Sequence, residues 1–233
     1  MSMTHRLTLR EPKRRPPVIW SQSRHGRVID MIEPRAADVD FHEMALTLAF
    51  IPRFNACFEK PVSVAQHLLI AALAAPAELR PWVLLHDAHE AAIGDIITPV
   101  VTALDALYRR RWSGPEHIPL NDEQRVRHFT PSAIVAELKH RHDIAIHEAA
   151  GLPMPDDAQR AAIHRADRRA LVTERRDFLA RPPLSWGTAI ENMPPLTQRF
   201  RLRPPLEVAD ALMAAWCETL PALRQSRAAR EPL

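Results

Sequence analysis

A chain of 233 residues can fill one generous hydrophobic core, and five glycines against abundant Ala, Leu and Arg favour helix over strand. The formal charge of +3 argues against a general nucleic-acid binder, and two cysteines, Cys57 and Cys217, exclude a disulfide scaffold. No apolar run approaches membrane length and residues 1–20 lack a signal-peptide core, so the expected setting is a reducing cytoplasm.

The chain opens on a Pro-interrupted basic arm (Arg6, Arg10, Lys13, Arg14, Arg15), expected to be mobile. A helix is predicted over 40–50, followed by Pro52, Arg53 and Phe54. The next helix, 62–75, takes Ser63 as its N-cap and places Val64, Leu68 and Ala71 at i, i+4 and i+7, with His67 among them. A helix over 78–93 runs through the apolar turn Trp82–Leu85 into His86, Asp87, Ala88, His89 and Glu90. Helical spacing puts 86 and 90 on one face, with 87 and 90 three apart, so those three side chains can converge. Further helices are predicted at 99–111, 131–150, 157–180 and 207–228, with a loop at 112–130 and a Pro-rich connector draped over the surface at 181–206. The 22 prolines punctuate these segments, and alternating strands joined by Asn-Gly or Asp-Gly turns are absent. The whole reads as an all-α bundle.

Three of these helices carry ligand-type residues on apolar faces: His67, the pair His86 and Asp87, and Asp167 beside the stripe Ile163, Ala166, Ala170 and Leu171. Two imidazoles and two carboxylates suit a borderline divalent ion such as Mn, Fe, Co, Ni or Zn. His67 alone could equally be a hydrogen-bonded core histidine, and His164, one turn before Asp167, is a local rival to it. His89 points about 60° away from His86 around a helix and is expected on the surface or the substrate side. His117, His128, His140, His142 and His147 fall in polar stretches and are expected to be solvated, with a second metal recruiting two of them as a minor alternative. Glu90 is placed to orient or deprotonate a water. The arginines near 109–111 and around Asp167 read as solvated faces or as cations near a site.

The order His, His-Asp, Asp on helices resembles the HD-domain metal-dependent phosphohydrolase superfamily, and within it the bacterial 5'-deoxynucleotidase and prophage-type nucleotide phosphohydrolase branch. The resemblance rests on Ile51–Phe54, Ser63–His67, Leu85–Glu90, Gly94–Val100, and Ala166–Asp167 with Thr173–Asp177. It covers roughly residues 38–105 and 131–180.

That resemblance implies an HD-domain helical bundle over 18–228 with a short N-terminal hairpin between Val18 and Glu33, an insertion at about 109–130, an arm at 1–17 and a tail at 229–233. It selects Asp167 over His164 as the last ligand, so that His67, His86, Asp87 and Asp167 hold one divalent ion (Mn, Co, Fe, Ni, Zn or Mg). It gives Arg53 the substrate phosphate, sets Phe54 near the nucleoside, and has Asp95 help with the water or meet the sugar. Lys139 joins Arg53 as a candidate cation for charge on the phosphoryl group, with a plain surface role beside it. The implied substrate is a nucleoside mono- or triphosphate, with no stable nucleic-acid or membrane partner and a homodimer as a frequent assembly. Two rivals stand: an HD-fold di-iron oxygenase, needing ligands beyond these four, and a regulator that binds a nucleotide without turnover.

Overall fold

Side-chain caps start four of the longer helices. In the computed structural model, which describes residues 19–58, 61–112 and 130–228, Asp40 accepts the Glu43 amide and opens α1 (Phe41–Phe50), and Ser63 does the same for Gln66 at the start of α2 (Val64–Ala74). Two short helices follow, α3 (Arg80–Val83) and α4 (Glu90–Ile93), and then α5 (Thr98–Trp112). Thr130 caps α6 (Pro131–Ala150), and a reciprocal Asp156–Gln159 capping box opens α7 (Asp157–Phe178). A single turn α8 (Thr188–Glu191), then α9 (Pro205–Thr219) and α10 (Pro221–Ala228), complete the described chain. The basic arm at 1–17, the tail at 229–233 and residues 113–129 of the expected insertion lie outside the described residues.

The core is where α1, α2, α7 and α9 meet: α1 packs along α9, and α2 lies against α7. Leu48, Leu68, Ile70, Leu84, Leu85, Leu212, Leu220 and Trp216 are sealed from solvent there. Trp216 meets Phe41 edge to face at 5.4 Å and donates its indole N–H to Leu84 O at 3.0 Å. The all-helical reading holds, and so does the hairpin: β1 (Trp20–Gln22) pairs antiparallel with β2 (Val28–Asp30), Ser21 opposite Ile29. Among the described residues no helix is long and apolar enough to cross a membrane.

Two expected boundaries need correction. The helix predicted over 78–93 is broken between Val83 and Glu90. The amides there bond three residues back rather than four, Leu85 to Trp82 O, Ala88 to Leu85 O and Glu90 to Asp87 O. The helix predicted over 207–228 is two, because Pro221 has no amide to carry the ladder past Leu220. The helix predicted over 99–111 is α5, which the Asp105 carboxylate ties to the Ser132 amide at 2.9 Å.

Glu43 fastens the hairpin to α1. Its carboxylate accepts the His25 amide at 2.6 Å and pairs with Arg27. Burial alone would raise its pKa; the Arg27 and His25 hydrogen bonds outweigh that and bring it down to about 2. A carboxylate depressed on folding adds stability above its ordinary pKa of about 4.5, lost as pH falls toward 2. The stability gap between the unmodified protein and Glu43→Gln should therefore close between pH 4.5 and 2 in thermal melts. A gap of constant size across that range would refute the latch.

Candidate metal centre

Four donor atoms converge where α2, the 84–89 turn and α7 meet. His67 Nε2 lies 3.3 Å from His86 Nε2, 3.1 Å from Asp167 Oδ1 and 3.6 Å from Asp87 Oδ2. His86 Nε2 lies 3.3 Å from Asp87 Oδ2 and 3.8 Å from Asp167 Oδ1. Neighbouring ligands held at roughly 2.1 Å from one ion stand about 3.0 Å apart at a right angle and about 3.4 Å at a tetrahedral one. Three of the five separations, 3.1 to 3.3 Å, lie on that scale, and those at 3.6 and 3.8 Å are somewhat wider. His67, His86 and Asp87 also meet the distance condition for a shared ion as a group.

The outer nitrogens decide the tautomers. His67 Nδ1 is 2.9 Å from Glu174 Oε1, and His86 Nδ1 is 2.6 Å from Val83 O. A carbonyl or carboxylate oxygen can only accept, so each Nδ1 carries the proton. Each Nε2 then presents a lone pair, and the two face each other at 3.3 Å between carboxylate oxygens. Lone pairs turned on one another inside a protein repel; a cation or a proton between them removes the repulsion. This is also the outer-shell pattern that fixes metal-binding histidines.

Charge balance points the same way. Burial opposes charge on His86, yet Asp87 and Asp167 hold its pKa well above the ordinary value. Burial likewise opposes charge on Asp87 and Asp167, and the imidazoles bring both below the carboxylate range. Arg53, 9% exposed, stands with Nη1 3.4 Å from Asp87 Oδ2 and Nε 3.3 Å from Glu174 Oε2. Burial works against its charge, and Glu174, Asp87, Asp167 and Asp95 together more than restore it. Burial, then the charges of Asp87 and Asp95, push Glu90 up to about 9, and burial raises Asp95 as well. Lys139 acts on both carboxyls from α6.

The structure thus brings His67, His86, Asp87, Asp167 and Arg53 into one cluster, with Glu90 and Asp95 alongside and Phe54 next to Arg53. His164 is exposed on α7 and away from the donors, which settles its rivalry with Asp167. The face shared by 86 and 90 is corrected. With i to i+3 bonding, residues three apart stack, so Glu90 joins Asp87 rather than His86. Asp87, His89 and Glu90 form a second group of ligand atoms within 4.8 Å. The minor alternative of a second metal drew on other histidines, and His89 was expected on the surface or the substrate side; it is 4% exposed, with Nδ1 2.8 Å from Asp143 Oδ1. His142 and His147 are buried too, not solvated.

Glu174 has a role the sequence reading did not assign. It is fully buried on α7 and holds both His67 and Arg53. The available signal was its spacing: seven residues after Asp167, it returns to the same helix face. Asp143, the partner of His89, carried no comparable signal.

No family profile matches the chain. It is similar to an uncharacterized protein of Rhodobacter capsulatus, 29% identical over 209 residues, spanning 84% of this chain and 92% of that relative.

Glu174→Gln keeps the volume but removes the charge that orients His67. Metal affinity, titrated with Mn or Co, should fall by about 10- to 100-fold, the usual cost of losing an outer-shell partner. Unaltered affinity would show that Glu174 serves only packing.

Proposed function

We propose that the protein is a metal-dependent phosphohydrolase of the HD-domain type, acting on a nucleoside mono- or triphosphate. The observation that carries this reading is the pair of imidazole Nε2 atoms turned toward each other, 3.3 Å apart, flanked by Asp87 and Asp167. That donor set fits one divalent ion held by His67, His86, Asp87 and Asp167. Two nitrogens favour Mn, Fe, Co, Ni or Zn over Mg. In support stand the helical bundle with its hairpin and the adjoining Arg53, Glu90 and Asp95. The resemblance adds a deoxynucleotide as substrate and a homodimer as assembly.

When bound, the ion would supply a Lewis acid and bring the pKa of a coordinated water from about 15.7 toward roughly 7. The chain's own residues do the rest. Arg53, anchored by Asp87 and Glu174 at one edge of its fork, offers planar donors to two phosphoryl oxygens. With only the protein's own charges around it, Glu90 is pushed up to about 9 and holds its proton at neutral pH. Positive charge placed on Asp87 lowers the pKa of Glu90 and Asp95 and makes them proton acceptors for the attacking water. Lys139 adds positive potential beside both carboxyls.

One observation favours a second reading. Asp87, His89 and Glu90 could hold another ion, as a two-iron oxygenase would require. Two irons per chain and no phosphate release from any nucleotide would select it.

The direct test combines metal analysis with phosphate release from nucleoside mono- and triphosphates in Mn, Co and Mg. The unmodified protein should carry one divalent ion in the four-donor cluster and release phosphate. His86→Ala should lose that ion and the activity together. A His86→Ala protein with full occupancy and turnover would overturn the assignment.

Arg53→Lys keeps a charge but not the fork. Losing one charge-assisted contact costs about 1.5 to 3 kcal/mol, so kcat/KM should drop by roughly 10- to 100-fold with metal binding little changed. Equal kinetics would leave Arg53 as a purely structural ion-pair partner.

A further inference from the structure

A cavity of about 130 Å³ lies beneath the hairpin, walled by β1 and β2, the segment 34–40, α1, the turn before α4, α4 itself and α6. Its inner surface is mostly apolar, with Ile29, Val39, Met44 and Ile146 on it. Short side chains keep the space open: Ala88 in the turn, Ala91 and Ala92 on α4, and Ala145 on α6. None of the residues assigned to the metal centre lines it, yet Ala88 and Ala91 directly follow Asp87 and Glu90 in the chain.

The charged groups around the cavity are already engaged by the protein. Arg27 pairs with Glu43 and lies 3.1 Å from Asp40, and Arg35 makes a two-pronged pair with Asp38 at 2.7 Å. Arg24 lies over the Phe50 ring at 5.2 Å, and Asp30 accepts the Ile32 and Glu33 amides at 3.1 and 2.9 Å. His142 is the exception. It lines the cavity from α6 and is 4% exposed. Its ring hydrogen-bonds the Met31 backbone carbonyl, while its Nε2 is buried with no hydrogen-bond partner among the described residues. The donating nitrogen is therefore Nδ1, and Nε2 keeps an unused lone pair. Burial holds the ring neutral by lowering its pKa. A buried acceptor with no donor is uncommon in a folded protein and calls for an explanation.

We infer that this cavity is a binding site for a small neutral molecule, an apolar ring carrying one O–H or N–H that donates to His142 Nε2. Its size argues for a single ring, since an apolar cavity of roughly 150 Å³ takes up benzene. The engagement of every charged neighbour argues for a neutral ligand, because an ion would lose its water there without gaining a free counter-charge. The one open acceptor argues for a donor. The site is separate from the metal centre and does not depend on the phosphohydrolase reading. Its occupant lies against the stretch of chain that delivers Asp87 and Glu90.

The test is an NMR titration of the full chain, labelled at its alanine methyls, with phenol, toluene and benzoate as probes. Phenol should shift the Ala88, Ala91 and Ala145 methyls and leave Ala161, exposed on α7, unmoved. Toluene, which has the ring without the donor, should shift the same three; benzoate at equal concentration should shift none. His142→Leu leaves the phenol O–H unpaired, so phenol affinity should fall by roughly 5- to 100-fold while toluene changes less than about twofold. Ala145→Leu narrows the space from α6 and should weaken both rings, with thermal melts to show that it folds. Ala92→Leu does the same from a half-buried position on α4 and guards against misfolding of the first variant. Four results would each overturn the site and leave a water-filled space: no methyl shift with phenol, benzoate binding as well as phenol, equal loss of phenol and toluene in His142→Leu, or undiminished binding in both leucine-for-alanine variants.

Discussion

The buried contact among His67, Glu174 and Arg53 is the constraint on which the rest of the centre depends. His67 and Glu174 are wholly removed from solvent, on α2 and α7, and Arg53 reaches them from the segment after α1. Burying such groups costs several kcal/mol per ion before mutual attraction and hydrogen bonds offset it, and an apolar triplet of similar size would often be as stable. The triad is therefore poorly explained as a source of stability. It is well explained as a positioning device: Glu174 fixes the His67 tautomer, His67 turns its other nitrogen inward, and Arg53 is drawn beside Asp87. The Arg53 Nε and Glu174 Oε2 atoms face each other at 3.3 Å without a well-formed hydrogen bond, so the pairing is electrostatic.

A second consequence is the sign of the local field. Asp87, Glu90, Asp95, Asp167 and Glu174 crowd around one guanidinium, with Lys139 acting on Glu90 and Asp95. Protein charges alone settle this by lifting the imidazoles and Glu90 toward protonation. One divalent ion would settle it with the lone pairs already aimed. The first solution spends protons on the groups that hydrolysis would need free; the second releases them.

Where a local rule governed the chain, the sequence was legible. Ser63 as a cap, Pro131 at the start of α6 and the apolar stripe around Asp167 located their helices within a residue or two. The 84–89 turn was not legible, because its cause is partly distant. Val83 O is taken by the His86 side chain, and Leu84 O by Trp216, 132 positions away. His142 and His147 misled for a related reason. Their sequence neighbours are polar, but the faces they occupy are covered by other parts of the fold. Of the candidate centre, His67, His86 and Asp87 were readable from order and spacing, while the choice of Asp167 over His164 came from the resemblance; Glu174 was quoted within a motif without a role.

The irregular backbone is not scattered. Among the described residues, the left-handed ones outside the glycines all lie at 54–56, directly after Arg53, and a departure from helical bonding runs through His86 and Asp87. Regular α-helix would have carried both segments past the cluster: His86 and Glu90 would share a face, and Phe54 would not follow Arg53 around a tight turn. In each case a strained or loosened path delivers a side chain that periodic structure cannot deliver. Elsewhere the chain keeps to caps, full turns and close packing. Local preference is overridden in the two stretches beside Arg53 and around His86 and Asp87, and an inference from strain to function is strongest when separate outliers point at the same spot.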